Sequence, residues 1–404
     1  MTIRARPFAC ATDSADLPMS SFRCERRPTP FTNTLFMASI PNLNTLRTGR
    51  GGPRRRGGGR TIAADGDSIS SESNTEAARD NIVQQTDHDA SSSRMSAVTL
   101  SYLDDNFAKA FWPPAHEVPR RYPIINRGTY VRSTAIDELV IRFLRTNQTQ
   151  KKQIVSLGAG SDTRFFRLCS ESHLKGTELE YHELDFETNV DRKRSTIRNS
   201  TQLSDHIKQA EREGAIYRLN ALDLRDLTAK SPPVIPGLDP ELPTLLLSEC
   251  CLCYLPPDAA SSVLQYFSMN MKAALAVVLY EPIRPFDAFG KTMVSNLASR
   301  GIHLQTLEKY YSLEAQRQRL KMSGFATGQG ARDIYQLWEN NDWTSERERD
   351  RIEKLEWLDE IEEWKLLASH YCIAWGWRGD VFGEAWESLD GARTATEARD
   401  DEVG

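Results

Sequence analysis

The chain lacks three features that mark specialised classes of protein. Its 404 residues include only 7 cysteines, neither dense nor evenly paired, which argues against a secreted fold held by disulfides and favours a reducing compartment, by default the cytosol. The longest apolar runs, such as 273–279, end after a handful of residues, far short of the ~20 that cross a bilayer. The 51 basic and 56 acidic side chains leave a net charge of −5, without the basic excess of a nucleic-acid binder. We therefore expect a cytoplasmic protein with no membrane span.

The first 92 residues lack apolar periodicity and differ in charge from the rest. Residues 1–60 hold 11 Arg and no Lys against three acids and end in an Arg- and Gly-rich run, whereas residues 61–92 hold seven acids against one Arg in a Ser-rich background. Such segments bury too little apolar surface to offset the entropy lost on ordering. The composition predicts a disordered leader over 1–92 and one folded domain over 93–404, which keeps most of the aromatic residues.

Several explanations of this leader stay open. The Arg/Gly run is typical of segments that bind RNA through unpaired guanidinium groups, and the Arg-rich start is compatible with a mitochondrial address. A solvated tail, or a true start nearer Met37 or Met95, explains the same composition without a function. Because the overall charge is balanced, nucleic acid is not an expected partner of the protein.

Strands and helices alternate in the folded domain. Six short apolar runs of β type are predicted at Gln153–Leu157, Leu179–Leu184, Ile216–Leu219, Thr244–Ser248, Leu275–Tyr280 and His370–Trp377. Helical periodicity is clearest at 127–144, where apolar residues recur every three or four positions. The alternation predicts an α/β fold with a doubly wound, mostly parallel, Rossmann-like sheet and an antiparallel last strand. We expect N-terminal helices over 93–145, one of them at 98–111, and a helical lid over 285–367 with a weak break near 324–330.

The first of these runs ends in a glycine turn, Gly158-Ala-Gly160-Ser-Asp-Thr163, that should open a helix. Glycine permits positive φ and lets a ligand approach the main chain. A dinucleotide-binding turn has a third glycine three residues on, where this sequence has Thr163. The turn therefore favours a ligand with a ribose, an adenine and a charged tail but no phosphate, and S-adenosylmethionine is the obvious candidate. A tight strand-to-helix connection without a ligand has the same pattern.

Three carboxylates come at the ends of predicted strands. Asp185 lies 27 residues after Gly158, at the sheet edge where an acid reaches ribose hydroxyls in doubly wound folds. Asp223 could accept the adenine amino group, although it or Asp226 could instead cap the following helix. Glu249 ends the fourth run, where a carboxylate could face the ammonium group of a methionine moiety. The strand ends thus predict a nucleoside site, with surface positions as the alternative for these acids.

Five ordered motifs carry a resemblance to a known family. They are Arg127-Gly-Thr-Tyr-Val-Arg132, Leu157-Gly-Ala-Gly-Ser-Asp-Thr163, Glu183-Leu-Asp185, Asp223-Leu-Arg-Asp-Leu227 and Leu246-Leu-Ser-Glu249-Cys-Cys-Leu-Cys-Tyr254. Over about residues 92–377 the chain resembles the leucine carboxyl methyltransferase family, whose characterised eukaryotic enzyme esterifies the C-terminal leucine of the protein phosphatase 2A catalytic subunit. The resemblance implies S-adenosylmethionine as cofactor and that subunit as partner. It also implies cofactor contacts from Arg94, Arg132, Gly158, Asp185, Asp223, Leu224 and Glu249.

Methylation of a carboxylate needs positioning rather than a general base, because a terminal carboxyl has a pKa near ~3.5 and is ionised at neutral pH. A guanidinium group can hold a carboxylate through two parallel hydrogen bonds. We predict Arg132 for this role, with Arg127 as the alternative. The hydroxyl of Tyr254 could lie over the reacting oxygen, or the ring could serve packing alone. No metal is expected, since the CxxC frame of Cys250 and Cys253 has no second thiol pair and no clustered histidines.

Other functions are compatible with parts of the sequence. A carboxyl or hydroxyl methyltransferase for a small metabolite would keep the same cofactor site. An RNA-associated binding module would use the Arg/Gly leader and the fold as a scaffold. A nicotinamide oxidoreductase is opposed by the missing third glycine and by the lack of a hydride-transfer constellation.

Overall fold

The computed structural model describes residues 68–113, 116–147, 150–170, 177–359, 361–389 and 391–394. Within them, the strands are β1 (Lys152–Leu157), β2 (Leu179–Asp185), β3 (Ala215–Ala221), β4 (Thr244–Glu249), β5 (Leu275–Pro282), β6 (Gly328–Asp333), β7 (Tyr371–Arg378) and β8 (Ala392–Thr394). The α-helices are α1 (Ser68–Thr99), α2 (Pro123–Arg145), α3 (Arg164–Ser170), α4 (Glu187–Asn199), α5 (Thr201–Arg212), α6 (Pro257–Asn270), α7 (Ala288–Ala298), α8 (Leu313–Met322), α9 (Ile334–Glu339), α10 (Glu346–Glu353), α11 (Ile361–Ala368) and α12 (Asp380–Trp386). Short 3₁₀ helices cover Ala108–Phe111, Leu224–Thr228 and Leu252–Tyr254.

All the strands belong to one sheet with the order β3-β2-β1-β4-β5-β7-β6-β8. Strands β1 to β5 are parallel to one another, and β7 lies antiparallel between β5 and β6. The chain moves outward from β1 to β3 and then crosses to β4 and β5, so the order reverses between β1 and β4. The predicted doubly wound, mostly parallel sheet is confirmed, and the crevice at this reversal is the usual ligand position in such folds.

The sheet is covered on both faces, so its central strands are buried along their length. Every residue of β1 and β2 is buried. Ile154 belongs to an apolar cluster that includes residues of α2 and α3, whereas its neighbour Val155 belongs to a second cluster that includes residues of α6 and α8. Because successive strand residues point to opposite faces, the two clusters are the two layers of the core.

Strand β6 was not predicted, because its glycines look like a break between helices. Gly328 and Gly330 pair with Trp377 and Trp375 of β7. A Cβ at either glycine would overlap the facing indole ring, so these positions admit no larger residue while the tryptophans stay in place. The segment 285–367 is therefore helical except for one strand that extends the sheet.

The predicted boundary of the folded domain at residue 92 is wrong, because α1 begins at Ser68. Acids that the sequence analysis assigned to a disordered leader are paired with arginines of the folded body. Asp80 lies 2.6 Å from Arg225, and Asp89 lies 2.6 Å from Arg300. A charged, Ser-rich helix without an apolar stripe gives no periodic signal, and its docking depends on partners distant in sequence. Residues 1–67 lie outside the described residues.

The predicted helix at 98–111 is also wrong. Helix α1 ends at Thr99, and only the 3₁₀ turn Ala108–Phe111 follows before Trp112. In contrast, the predicted helix at 127–144 is confirmed as α2, which starts earlier, with a proline in its first turn. None of the helices in the described ranges has the length and apolarity needed to span a bilayer.

Candidate active site

A cavity of about 680 Å³ opens at the carboxyl ends of the central strands. This volume lies within the range of roughly 300–1,000 Å³ typical of small-molecule sites. Every residue predicted for the site lines it, namely Arg94, Arg132, Gly158, Asp185, Asp223, Leu224, Glu249 and Tyr254. The fold therefore brings together residues that are up to 160 positions apart in the sequence.

The glycine turn is held against the end of β2. Gly158 and Gly160 have φ of 64° and 47°, a region that favours glycine. The Gly160 N–H donates to Asp185 Oδ2 at 2.7 Å, while Asp185 Oδ1 accepts from the Phe186 N–H at 2.7 Å and from Asn189 Nδ2 at 2.9 Å. Burial raises the pKa of Asp185, and these three hydrogen bonds oppose that rise. The carboxylate is thus fixed before any ligand arrives.

Three thiols follow β4 and pack beside this turn. A Cβ at Gly158 would overlap Cys251, so the cysteine fills the space next to the glycine. Burial raises the pKa of the Cys251 and Cys253 thiols, which keeps them neutral and poorly nucleophilic. In the described part of the chain, no group of three or more His, Cys, Asp or Glu side chains is arranged to hold a metal ion.

Arg132 and Glu249 form the charged centre of the cavity. Arg132 Nε donates to Glu249 Oε2 at 2.9 Å, and Arg164 Nη1 donates to Oε1 of the same carboxylate at 2.7 Å. The Arg132 guanidinium also lies 4.9 Å from the ring centroid of Tyr280. Burial would lower the pKa of Arg132, but Glu249 outweighs it and holds the pKa above its usual value. Arg132 is therefore a fixed cation in the cavity wall.

Arg164 extends this pair into a buried guanidinium–carboxylate network, which we define as Asp137, Asp162, Arg164, Arg167 and Glu249. The Arg164 side chain is 2% exposed and contacts Asp137 and Asp162, each at 2.8 Å. Burial raises the pKa of Asp137, but Arg167 and Arg164 lower it further, so the pKa falls below its usual value. Through Arg164, the network holds one carboxylate oxygen of Glu249 in place. Sequence reasoning missed it because an arginine after a glycine turn gives no sign of burial.

The capping role predicted as one alternative for Asp223 is confirmed, and its contact with adenine stays a prediction. Its carboxylate lines the cavity and also caps the 3₁₀ helix Leu224–Thr228 by accepting from the Arg225 N–H at 2.9 Å. Arg225 Nε contacts both oxygens of this carboxylate at 3.0 Å. The Asp223 side chain is therefore oriented by its neighbour rather than by a ligand.

Tyr254 and Arg127, the alternative to Arg132, lie in different environments. Tyr254 lines the cavity, and burial raises the pKa of its hydroxyl, which therefore stays protonated. Arg127, the predicted alternative to Arg132, is buried outside the cavity wall, 4.6 Å from the Trp338 ring centroid and 5.5 Å from that of Trp364. Arg127 is therefore a packing residue, and that alternative is wrong.

The cavity has an apolar end that the sequence did not predict. It is lined by Ile125, Ile302, Leu304, Ile334, Trp364 and Leu367. Tyr280 and Tyr371, from adjacent strands β5 and β7, also line the cavity and stack at 5.6 Å, and Arg132 lies over the Tyr280 ring. Most of the apolar residues come from 285–367, so the predicted lid forms this wall. Their helical spacing in the sequence is indistinguishable from that of ordinary core residues.

Comparisons with known proteins agree with this geometry. A family model described as leucine carboxyl methyltransferase matches residues 63–268. The chain is 49% identical over 397 residues to leucine carboxyl methyltransferase 1 of Aspergillus fumigatus, covering 88% of this chain and 98% of that protein. It is 50% identical over 388 residues to the protein of the same name from Emericella nidulans, covering 87% and 97%. A leucine carboxyl methyltransferase 1 homolog of Arabidopsis thaliana is 36% identical over 302 residues, covering 72% and 88%.

Proposed function

The chain belongs to the leucine carboxyl methyltransferase family, and on this premise we propose that it methylates the α-carboxylate of the C-terminal leucine of the protein phosphatase 2A catalytic subunit, using S-adenosylmethionine. The supporting observation is that strand-end acids, one fixed arginine and an apolar wall meet in a single cavity. The acids suit the nucleoside of the cofactor, the arginine suits a carboxylate, and the apolar wall suits the leucine side chain.

The strand-end residues fit a sulfonium nucleoside. The two glycines have positive φ and no side chain, which leaves the main chain of the turn open to a ligand. Asp185 would bind the ribose hydroxyls, Asp223 and Leu224 the adenine, and Arg94 with Arg132 the carboxylate of the methionine moiety. When bound, the cofactor supplies an electrophilic methyl group. The chain's part is to align the acceptor and exclude water.

The rest of the cavity fits the end of a peptide. The apolar residues Ile302, Ile334 and Trp364 suit a leucine side chain, and the nearby Arg132 suits its carboxylate. Tyr254 offers a neutral hydroxyl as a further donor. Because the terminal carboxylate is already ionised, no residue needs to remove a proton. Five cysteines within the described ranges are free thiols, and we accordingly propose a reducing, cytoplasmic location.

A transfer assay with radiolabelled S-adenosylmethionine tests this function. The full chain is incubated with the purified phosphatase 2A catalytic subunit, either intact or lacking its last leucine, and label is expected only on the intact subunit. Arg132→Ala should lower kcat/KM by about 100-fold, because charged hydrogen bonds to a carboxylate are lost. The matched control is Arg142→Ala on the same helix, where the arginine pairs with Glu138 at the surface. Equal labelling of both subunits, or normal transfer by Arg132→Ala, would contradict the proposal.

A further inference from the structure

Helix α1 holds both polar groups of one peptide residue in the glycine turn. The Ser161 N–H donates to Asp87 Oδ1 at 2.7 Å, and the Ser161 carbonyl accepts from Arg94 Nη1 at 2.6 Å. Asp87 and Arg94 are seven residues apart, two helical turns, so both side chains leave the same face of α1. The helix therefore grips Ser161 at two points.

The turn needs such support because its two glycines allow the backbone many other conformations. Gly158 and Gly160 have positive φ and lose more conformational freedom on ordering than any other residue type would. The Gly160 N–H is already taken by Asp185 from the sheet side. Ser161 is 7% exposed, so without Asp87 its N–H would be a buried donor lacking this acceptor.

Asp87 is seated at the turn rather than at the surface. A Cβ at Gly160 would overlap the Asp87 carboxylate, so both this contact and the positive φ disfavour any larger residue at position 160. Asp87 also pairs with Arg192 at 3.6 Å, but the Arg192 side chain is 54% exposed, so this ion pair adds little in solvent. The contact that distinguishes Asp87 is therefore the one with the turn.

We propose that Asp87 is a positioning residue for cofactor binding, acting with Arg94 as a clamp on Ser161 that keeps the glycine turn in its receiving conformation. The proposal rests on the proposed function only in taking the ligand to be a sulfonium nucleoside. If the turn leaves this conformation part of the time, the apparent Kd rises by the inverse of the competent fraction. Asp87 acts through Ser161 and needs no contact with the ligand.

Two measurements on the full chain test the clamp. Calorimetry with S-adenosylhomocysteine gives the Kd, and hydrogen exchange of the peptide spanning 158–163, without ligand, reports the turn itself. Asp87→Ala should raise the Kd about tenfold or more and speed the exchange, because the Ser161 N–H loses its acceptor. Asp87→Asn keeps an oxygen acceptor and should stay within about threefold of the wild type on both.

Arg300→Ala is the matched control, because it removes the ion pair to Asp89 and loosens α1 while leaving the clamp intact. Its Kd should stay within about twofold of the wild type. Unchanged exchange in Asp87→Ala, or an equal loss of affinity in Arg300→Ala, would overturn the clamp. A wild-type chain that binds no S-adenosylhomocysteine would contradict the proposed function instead, and the exchange data would still decide on the clamp.

Discussion

Loss of the charge of Glu249 should lower the free energy of unfolding far more than loss of the charge of a surface glutamate with a shorter ion pair. Its two carboxylate oxygens accept from Arg132 Nε at 2.9 Å and Arg164 Nη1 at 2.7 Å, and its side chain is 17% exposed. Glutamine has the same shape but only one acceptor oxygen. Its amide NH₂ must therefore face one of the two arginines, so that donor meets donor.

The expected loss follows from these contacts. One charged hydrogen bond is removed and the other loses its anionic acceptor, each change worth about 1.5–3 kcal/mol, and breaking a buried pair typically costs about 3–5 kcal/mol. Glu249→Gln should thus lower the free energy of unfolding by about 3 kcal/mol. Glu138→Gln is the matched control, since Glu138 accepts from Arg142 Nε at 2.6 Å with both side chains about one third exposed. That variant should lose no more than about 0.5 kcal/mol.

Urea unfolding, extrapolated linearly to water, measures both variants against the wild type. The slope of the free energy against urea should be the same in all three proteins, because the fold is unchanged. If Glu249→Gln lowers the free energy of unfolding no more than Glu138→Gln does, burial rather than ion-pair distance does not determine how much this contact stabilises the protein, and the reasoning is refuted.

Two further outcomes follow from the structure. Burial raises the pKa of Glu183 to about 7 despite Lys193 at 2.5 Å, so the protonated carboxyl contributes fully to stability below the unfolded pKa, and this contribution is lost as the pH rises through 7. Glu183→Gln should therefore remove a decrease of about 3 kcal/mol in the free energy of unfolding between pH 4.5 and 8. Urea unfolding at several pH values measures this decrease, and an unchanged dependence on pH would contradict the prediction. Deletion of 1–67 should leave methyl transfer intact. Deletion of 1–92 should abolish it, because most of the α1 residues that line the cavity are removed together with Asp87. Equal transfer by both truncated chains would show that this part of α1 is dispensable.

The sheet could be predicted from the sequence because each central strand is a short apolar run that ends at a glycine or an acid. Parallel strands bring their carboxyl ends to one edge, so Asp185, Asp223 and Glu249 had to lie near the glycine turn once the strand order was assumed. Arg132 was found differently, through a resemblance in motif, and its contact with Glu249 appears only in the structure.

Other parts of the site carry no local signal. Asp87 stands in a polar, acidic segment, and what orders that segment is pairing with residues more than 70 positions away. Arg164 is buried only because three carboxylates from separate elements meet around it. Gly328 and Gly330 resemble a loop because the reason for them, the tryptophan rings of β7, lies far along the chain. In each case a tertiary contact decides the outcome and local propensity does not.

The order of chain synthesis gives α1 an unusual place in assembly. It is made before every other described element, yet its partners Ser161, Arg225 and Arg300 follow its own residues by 74, 149 and 211 positions. Contacts across such separations form late, since long stretches of chain must first be brought together. The first helix that the structure describes is thus fixed in part by contacts that can form only once Ser161, Arg225 and Arg300 have been synthesised.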